Sequence, residues 1–258
     1  MIVAWKWLVA AVLLMTAVVA CTHEPPPYES RYTPPPPPLG APAPLPPGAS
    51  FVDTFDRPDT QLGLGEGWDL RESIDNSALP LSATDGFIRA GRYASASMTN
   101  VFAVRKFRSK VRRIGAEASW TRVGDGPAET LFMAISANEK ITSDLVQLAV
   151  NPAEWEVSTR RNGHFWRVVR GRFDPPLDLD RDYRFEMDAA DGSITATLPN
   201  GVRTGRVGTS DLLSERAFWR HGFDPADPRP AGARFAANIV WVAEEGQTLV
   251  PVPSADSG

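Results

Sequence analysis

Two turn-forming dipeptides constrain the fold of this chain most strongly. Asn162-Gly163 and Asp191-Gly192 each separate two segments in which apolar and polar residues alternate. Both dipeptides suit the type I′ turn of a two-residue β-hairpin, which requires positive φ angles. Pairing residues outward from the two turns sets Ala189 opposite Ile194, Met187 opposite Ala196, Phe185 opposite Leu198, Thr159 opposite Trp166, Val157 opposite Val168, and Trp155 opposite Arg170. Turn chemistry and side-chain period therefore agree in predicting antiparallel strands.

The same alternation continues through most of the chain beyond Ser50. It predicts further strands in four segments, at 114–123, 128–136, 144–150 and 233–244. One segment, "TSDLLSERAFWRHG" at 209–222, instead carries helix signals, with Ser210 as the N-cap and Gly222 just beyond the end. Many short strands and one short helix predict an all-β fold, an antiparallel β-sandwich that forms a single domain.

The first twenty residues have the pattern of a secretory signal. Lys6 supplies a positive charge, and the apolar run from Leu8 to Ala20 is shorter than the roughly 20 residues of a membrane span. Together with Cys21, its last residues, Val18-Val19-Ala20, resemble a bacterial lipobox. The resemblance implies that residues 1–20 are removed and that acylated Cys21 attaches the mature chain to a lipid bilayer. The alternatives are an uncleaved anchor helix and a signal without lipid that is cleaved after Ala20.

Proline dominates the segment that follows. Twelve of the 28 residues from Thr22 to Ala49 are proline, which favours extended polyproline II over any packed structure. We therefore assign residues 21–50 to the lipidated cysteine and a disordered tether, in preference to a ligand for a proline-binding module. Residues 51–245 form the sandwich domain and residues 246–258 a disordered tail. The expected location is the cell membrane or outer envelope, on its extracytoplasmic side.

Charge and motif content exclude several classes of function. The formal net charge is −4 and no block of basic residues is present, so nucleic acid is not an expected partner. The three histidines, His23, His164 and His221, lack the spacing of metal ligands. A single cysteine forms no internal disulfide. No motif for a nucleophilic serine or a phosphate-binding loop occurs, and we expect neither a metal nor another cofactor.

The start of the sandwich domain carries a family resemblance. Its segment Phe51–Leu70, "FVDTFDRPDTQLGLGEGWDL", resembles the opening of concanavalin A-like lectin/glucanase (laminin G-like jelly-roll) domains of bacterial secreted proteins, and residues 183–201 resemble a hairpin of that fold. The matching residues are Asp53, Phe55, Arg57, Asp59, Leu62-Gly63 and Trp68. The resemblance implies a jelly roll over Phe51–Glu244 and says little about activity. For Asp53, Asp56 and Asp59 we favour turn capping and an ion pair with Arg57 over a calcium site.

Two pairs of acidic residues were considered as a catalytic site. Glycosidases of the resembled fold carry acidic residues at alternate positions of one strand, and retaining chemistry needs carboxyl groups about 5 Å apart. Glu186 and Asp188 share a face, but Ala190 stands where those glycosidases would have a second glutamate. Glu154 and Glu156 flank Trp155, an arrangement found in sugar sites, but Trp155 falls on the apolar face of its strand, where a core tryptophan is the simpler interpretation. We therefore name no catalytic residue and expect a domain without catalysis.

The expected function is binding, with envelope glycan as the favoured ligand. Five tryptophans suggest that one or two are exposed: Trp120, Trp155, Trp166, Trp219 and Trp241. A basic cluster fits either a solvated strand face, the simpler interpretation, or an anionic envelope polymer: Arg160, Arg161, Arg167, Arg170 and Arg172. The candidate ligand-binding residues are Trp155, Trp166, Arg160 and Arg167. The alternatives are a polysaccharide hydrolase, indicated by paired carboxylates in a groove, and an assembly lipoprotein that binds another protein, indicated by a flat apolar patch.

Overall fold

The computed structural model describes residues 48–61, 63–73, 81–82, 86–95, 100–137, 144–190, 192–206, 213–222 and 231–246. These residues all belong to one compact unit, Tyr32–Gly258, and contain fifteen β-strands and no helix. The strands are β1 (Phe51–Asp53), β2 (Asp69–Ser73), β3 (Leu81–Ser82), β4 (Gly86–Arg89), β5 (Arg92–Ser95), β6 (Asn100–Arg122), β7 (Thr130–Ser136), β8 (Leu145–Val150), β9 (Glu154–Arg161), β10 (His164–Arg172), β11 (Tyr183–Ala190), β12 (Ser193–Leu198), β13 (Gly201–Arg206), β14 (Ser214–Gly222) and β15 (Ala233–Glu244).

The predicted signal, lipidated cysteine and most of the tether lie outside the described residues, as does the tail beyond Gly246. These assignments therefore remain predictions. Within the described part of the chain, no helix has the length and apolar character needed to cross a membrane.

The long strand β6 organises the sheet into two layers. Residues 101–106 of β6 pair with β14, which continues through β7, β8 and β9 to β10. We call this layer the front sheet. The second half of β6 pairs with β11 on one side and β15 on the other, and β11 continues to β12 and β13. We call this layer the back sheet. The predicted all-β antiparallel sandwich is confirmed.

The core lies between the two layers, and each strand contributes alternate residues to it. From the front sheet come Leu131, Met133, Leu148, Val157 and Trp219, and from the back sheet come Ile114, Trp120, Phe185, Met187 and Val240, all of them buried. A second, smaller apolar cluster consists of Phe102, Val104, Ala134, Leu145 and Phe218. These side chains alternate with the core residues along their strands, so they lie on the opposite face of the front sheet. We call that face the cleft face.

The segment predicted as a helix is a strand in the structure. β14 lies in the interior of the front sheet, paired with β6 on one side and β7 on the other. Ala217 and Trp219 face the core while Phe218 belongs to the cleft-face cluster, so both faces of this strand are covered. A strand that is apolar on both faces lacks strict alternation, and its residues then resemble an amphipathic helix. The predicted N-cap, Ser210, lies outside the described residues.

The two hairpin registers were predicted with different success. In the β11–β12 hairpin, Ala189 pairs with Ile194 and Met187 with Ala196, as predicted. In the β9–β10 hairpin the predicted register holds only near the turn, where Trp166 pairs with Thr159. Beyond Arg167 the register shifts by one residue. Val157 then pairs with Val169 instead of Val168, and Trp155 pairs with Gly171 instead of Arg170. The shift is a β-bulge at Val168, and it corrects the prediction for the second half of this hairpin.

Candidate functional site

The cleft face carries a pocket of about 590 Å³ at the end of the front sheet formed by β7 to β10. Its volume lies within the range of small-molecule and cofactor sites, roughly 300–1,000 Å³. The side chains that line it from this face are Thr130, Phe132, Gln147, Ala149, Glu154, Glu156, Phe165, Arg167, Arg170 and Arg172. Val150, Asn151, Trp155 and Gly171 also border the pocket. We call this pocket the cleft.

A row of paired residues crosses the whole front sheet and runs into the cleft. Phe102 on β6 pairs with Arg220 on β14, and Arg220 pairs with Phe132 on β7. Phe132 pairs with Ala149, Ala149 with Glu156, and Glu156 with Arg170. Residues directly opposite in antiparallel strands share one face, so this row lies on the cleft face from end to end. It changes from aromatic at the sheet centre to charged at the β10 edge.

Arg220 lies within the aromatic part of this row, between Phe102 and Phe132. Its guanidinium carbon is 3.6 Å from the centre of the Phe132 ring and 5.3 Å from that of Phe102. Burial lowers the pKa of Arg220 to about 9, which still leaves the guanidinium charged at neutral pH. Arg220 is 94% covered and does not line the cleft itself, and its guanidinium contacts the Phe132 ring, which does. Phe132 therefore joins the cleft to the aromatic part of the row.

Polar groups on β8 to β10 complete the cleft. Arg167 forms an ion pair and hydrogen bond with Glu156 from the facing strand. The Gln147 amide donates a 3.1 Å hydrogen bond to the Ser158 hydroxyl, which fixes the orientation of that side chain. Arg170 and Arg172 form no ion pair with any carboxylate of the described residues. The cleft thus presents one arginine that is already paired and two whose donors are unused.

The structure separates the four candidate ligand-binding residues. Arg167 lines the cleft, and Arg160 lies on the same face, opposite Leu145 and Phe165. Trp155 points the other way into the core and is only 4% exposed. Trp166 is 48% exposed but pairs with core-facing Thr159, so its side chain lies on the face opposite the cleft. Among the described residues, Phe132 and Phe165 are the phenylalanines that line the cleft, and neither was predicted, because phenylalanine in a strand is typical of a core residue and gives no sign of a sugar site.

The surplus of tryptophan has a structural explanation. Trp120, Trp219 and Trp241 are buried, and each indole N–H has a partner within the domain. Trp120 donates to the Glu129 carbonyl at 2.8 Å, Trp219 to the Gly115 carbonyl at 3.0 Å, and Trp241 to the Glu186 carboxylate at 3.1 Å. Trp120 and Trp219 pack in the core between the layers, whereas Trp241 lies on the outer face of the back sheet beside Gly115 and Glu186. All three are buried within the domain, so their number is no indication of a sugar site.

The two acidic pairs are placed very differently. Glu186 and Asp188 lie on the back sheet, away from the cleft, and each meets an arginine: Arg113 at 3.6 Å and Arg112 at 3.1 Å, respectively. They are surface strand acids, as the sequence suggested. Glu154 and Glu156 both line the cleft, on one face of β9 and two residues apart. Their Cα atoms are therefore separated by about 6.6 Å, given the rise of a β-strand.

Asp53 is the centre of a hydrogen-bonded loop. Its carboxylate accepts bonds from the Phe55 N–H at 2.8 Å, from Arg57 at 2.7 and 2.9 Å, and from the Trp68 indole at 2.8 Å. This bears out the interpretation of Asp53 as a turn cap paired with Arg57. Asp59 accepts a bond from the Ala90 N–H. Among the described residues, no group of three or more His, Cys, Asp or Glu side chains could share a metal ion. Leu62 of the resembled motif lies outside these residues.

Comparisons with known proteins bear on the fold. No protein-family model matches the sequence, and no curated protein matches it. Among solved structures, the chain is similar to Bacillus licheniformis β-glucanase, with a TM-score of 0.51, 11% identity, and coverage of 76% of this chain and 99% of the glucanase. It is also similar to a Clostridium perfringens endo-β-galactosidase that releases GlcNAcα1-4Gal, with a TM-score of 0.53, 8% identity, and coverage of 80% of this chain and 64% of the galactosidase.

A third similar structure comes from work on endo-acting O-glycanases with which human gut bacteria initiate mucin breakdown. Its TM-score is 0.53 at 11% identity, over 76% of this chain and 99% of the other. The fold is a concanavalin A-like jelly roll. At such low identity the similarity establishes the fold alone, so function must be argued from the cleft.

Proposed function

We propose that this chain is an extracytoplasmic lipoprotein whose jelly-roll domain binds a glycan in the cleft. The observation that carries the proposal is the composition of the cleft: Phe132 and Phe165 offer apolar ring surfaces, and the polar groups around them can bind sugar hydroxyls. Sites for small ligands have this combination of apolar walls and a few oriented polar groups. The three similar structures described above are glycan-acting proteins, which supports the choice of ligand class.

The anchoring part of the proposal rests on the sequence. Acylated Cys21 would hold the protein on a membrane, and the proline-rich tether would separate the domain from that surface. A tether in polyproline II extends by about 3.1 Å per residue, so the segment from Thr22 to Ala49 would span on the order of 85 Å. A glycan of the cell envelope is a ligand within that reach.

A glycan array together with polysaccharide pull-down tests the binding proposal. We expect the chain to be retained on at least one polymer, and Phe165→Ala to reduce retention by about tenfold through the loss of one aromatic contact surface. Trp166→Ala is the matched control, since Trp166 is the adjacent and equally exposed aromatic but lies on the opposite face. Failure of every polymer to retain the protein, or an equal effect of the two substitutions, would contradict a glycan site in the cleft.

A second candidate function is hydrolysis of a polysaccharide, and a specific observation favours it. Glu154 and Glu156 share one face of β9 inside the cleft, one of them bonded to Arg167 and the other exposed. Glycoside hydrolysis uses two such carboxyl groups, one as acid and one as nucleophile or base. The pull-down is therefore run with an assay for new reducing ends. Release that is abolished by Glu154→Gln and by Glu156→Gln, with retention preserved, would establish catalysis in place of binding alone.

The third function considered, binding of another protein, has less support. The large apolar side chains that are exposed among the described residues are Val123, Phe165, Trp166 and Val202. They come from a loop, one hairpin strand and the β13 strand, and do not form the flat apolar patch that this function predicts.

A further inference from the structure

The β-bulge at Val168 determines which side chains of β10 enter the cleft. Arg167 and Arg170 are three residues apart, so in a regular strand they would point to opposite faces. The register shift between Arg167 and Val169 resets the alternation. As a result Arg170 and Arg172 join Arg167 on the cleft face, while Val168 and Val169 both pack against the core. Bulges commonly redirect side chains beside binding sites, and this one assembles three arginines along one wall.

The opposite face of the bulged segment shows that this arrangement is tightly packed. Gly171 lies against the indole of Trp155, where an added Cβ atom would lie 2.6 Å from the Trp155 Cζ2 atom. No larger residue fits between the two arginines without displacing that tryptophan. Arg170 and Arg172 are thus held on the cleft side by packing beneath them. Edge strands often carry charged residues to prevent aggregation, but that role does not require all of them to face one pocket.

The charges around the cleft do not cancel. Three arginines and two glutamates line it, which leaves one net positive charge in a protein whose formal net charge is −4. Glu156 is occupied by Arg167, and Arg170 and Arg172 have no carboxylate partner among the described residues. A cleft with this balance attracts anions to a protein that otherwise repels them.

We propose that the cleft binds an anionic polysaccharide, with the acidic groups of the polymer held by Arg170 and Arg172. Guanidinium groups bind carboxylate and sulfate oxygens through two parallel hydrogen bonds, so either group can serve as the anion. The sugar rings lie with an apolar face on Phe132 and Ala149, next to the arginine wall. This inference rests on the proposed glycan-binding function and names the class of glycan.

The test compares polymers that differ only in charge. The full-length chain in detergent is assayed by affinity electrophoresis against polygalacturonate and against carboxyl-reduced polygalacturonate, which keeps the backbone and loses the acid. Alginate, chondroitin sulfate and dextran sulfate extend the acidic panel, and dextran is the neutral partner of dextran sulfate. We expect at least one acidic polymer to bind about tenfold or more tightly than its neutral partner, because charged hydrogen bonds are lost with the acid.

The variant that tests the arginine wall is the double substitution Arg170→Gln with Arg172→Gln. It should reduce affinity for the acidic polymer by about tenfold or more and make binding less dependent on salt. The matched control is Arg206→Gln, on the exposed strand β13 outside the cleft, together with Arg203→Gln on the same strand. This control makes the same change in net charge and should alter affinity by less than about twofold. Thermal unfolding of each variant establishes that the domain remains folded.

The outcomes separate the two proposals. Equal binding of acidic and neutral partners would overturn the anionic ligand and leave glycan binding intact. Binding of no polymer in the panel, and of none on the array, would overturn both. An equal loss of affinity in the cleft variant and in its control would show a general attraction between the polyanion and surface arginines, and would also overturn the inference. Selective loss in the cleft variant with a carboxylated or a sulfated polymer would support it and identify the anion.

Discussion

Replacing Asp53 by asparagine should destabilise the domain by about 3 kcal/mol at neutral pH, and the effect can be worked out from four hydrogen bonds. Oδ1 accepts from the Phe55 N–H and from Arg57, and Oδ2 accepts from Arg57 and from the Trp68 indole. Asparagine keeps one acceptor, so two donors lose theirs and instead face an amide NH₂. Hydrogen bonds to a charged group contribute about 1.5–3 kcal/mol each, and the partial exposure of Arg57 places the total near the lower end.

The pH dependence gives this prediction a sign. Burial by itself would raise the pKa of Asp53, but the hydrogen bonds from Arg57, Phe55 and Trp68 outweigh it and lower the pKa below its ordinary value of 3.8. A carboxyl group with a lowered pKa in the folded state stabilises fully above the unfolded value. That stabilisation is lost as the pH falls through the pKa of the folded state. The difference between the native chain and Asp53→Asn should therefore be constant from about pH 7 to pH 5 and shrink below pH 4.

Urea unfolding followed by tryptophan fluorescence measures both effects. For a domain of this size about 3 kcal/mol corresponds to a fall in Tm of roughly 6–12 °C. Asp56→Asn is the matched control, because Asp56 is an exposed neighbour in the same loop, and it should stay within about 0.5 kcal/mol of the native chain. Unfolding of the two variants at the same urea concentration at pH 7 would show that the Asp53 hydrogen bonds do not stabilise the domain as expected. The prediction also fails if the Asp53→Asn difference persists unchanged at pH 3, or if millimolar Ca²⁺ raises the Tm of the native chain, since Arg57 occupies both carboxylate oxygens.

Three further predictions follow from other parts of the molecule. Gly171→Val should lower stability by about 1–3 kcal/mol and alter the fluorescence of Trp155, because the added side chain overlaps the indole; an unchanged Tm would contradict the close packing at the bulge. Glu129→Ala should lower the free energy of unfolding by about 3–5 kcal/mol, because the buried Glu129 carboxylate accepts a hydrogen bond from the Phe235 N–H at 3.0 Å and lies 3.1 Å from His221. Equilibrium unfolding measures this change, and a loss below about 1 kcal/mol would contradict it. Cys21→Ala should abolish labelling by an alkyne fatty acid, and labelling that persists would contradict lipidation at this residue.

The elements that could be predicted from the sequence are those whose information is local. The β11–β12 hairpin combines a two-residue turn with apolar pairs on one face, and each property specifies the same register. Asp53 and Arg57 lie four residues apart, so their pairing is also visible in the sequence. β14 could not be recognised because its environment is set by strands far away in the chain. It pairs with β6 and β7 along its two edges, and its faces are covered by the core and by the cleft-face cluster, which removes the alternation on which strand prediction depends.

Whether the cleft could be predicted from the sequence depended on one residue, Val168, whose identity does not indicate a β-bulge. Val168 suits a regular strand and a bulge equally well, yet its insertion decides whether Arg170 faces Trp155 or the cleft. With the regular register, the arginines of β10 are divided between the two faces and have the appearance of a solvated strand. With the bulge, three of them face one pocket beside Glu154 and Glu156. The packing of Gly171 on Trp155 explains why the bulge is preferred, because the regular register would place the side chain of Arg170 against the indole in the core. Because burying the Arg170 charge in the core would cost free energy, the bulged register of β9 and β10 is favoured, and this register places the arginines in the cleft.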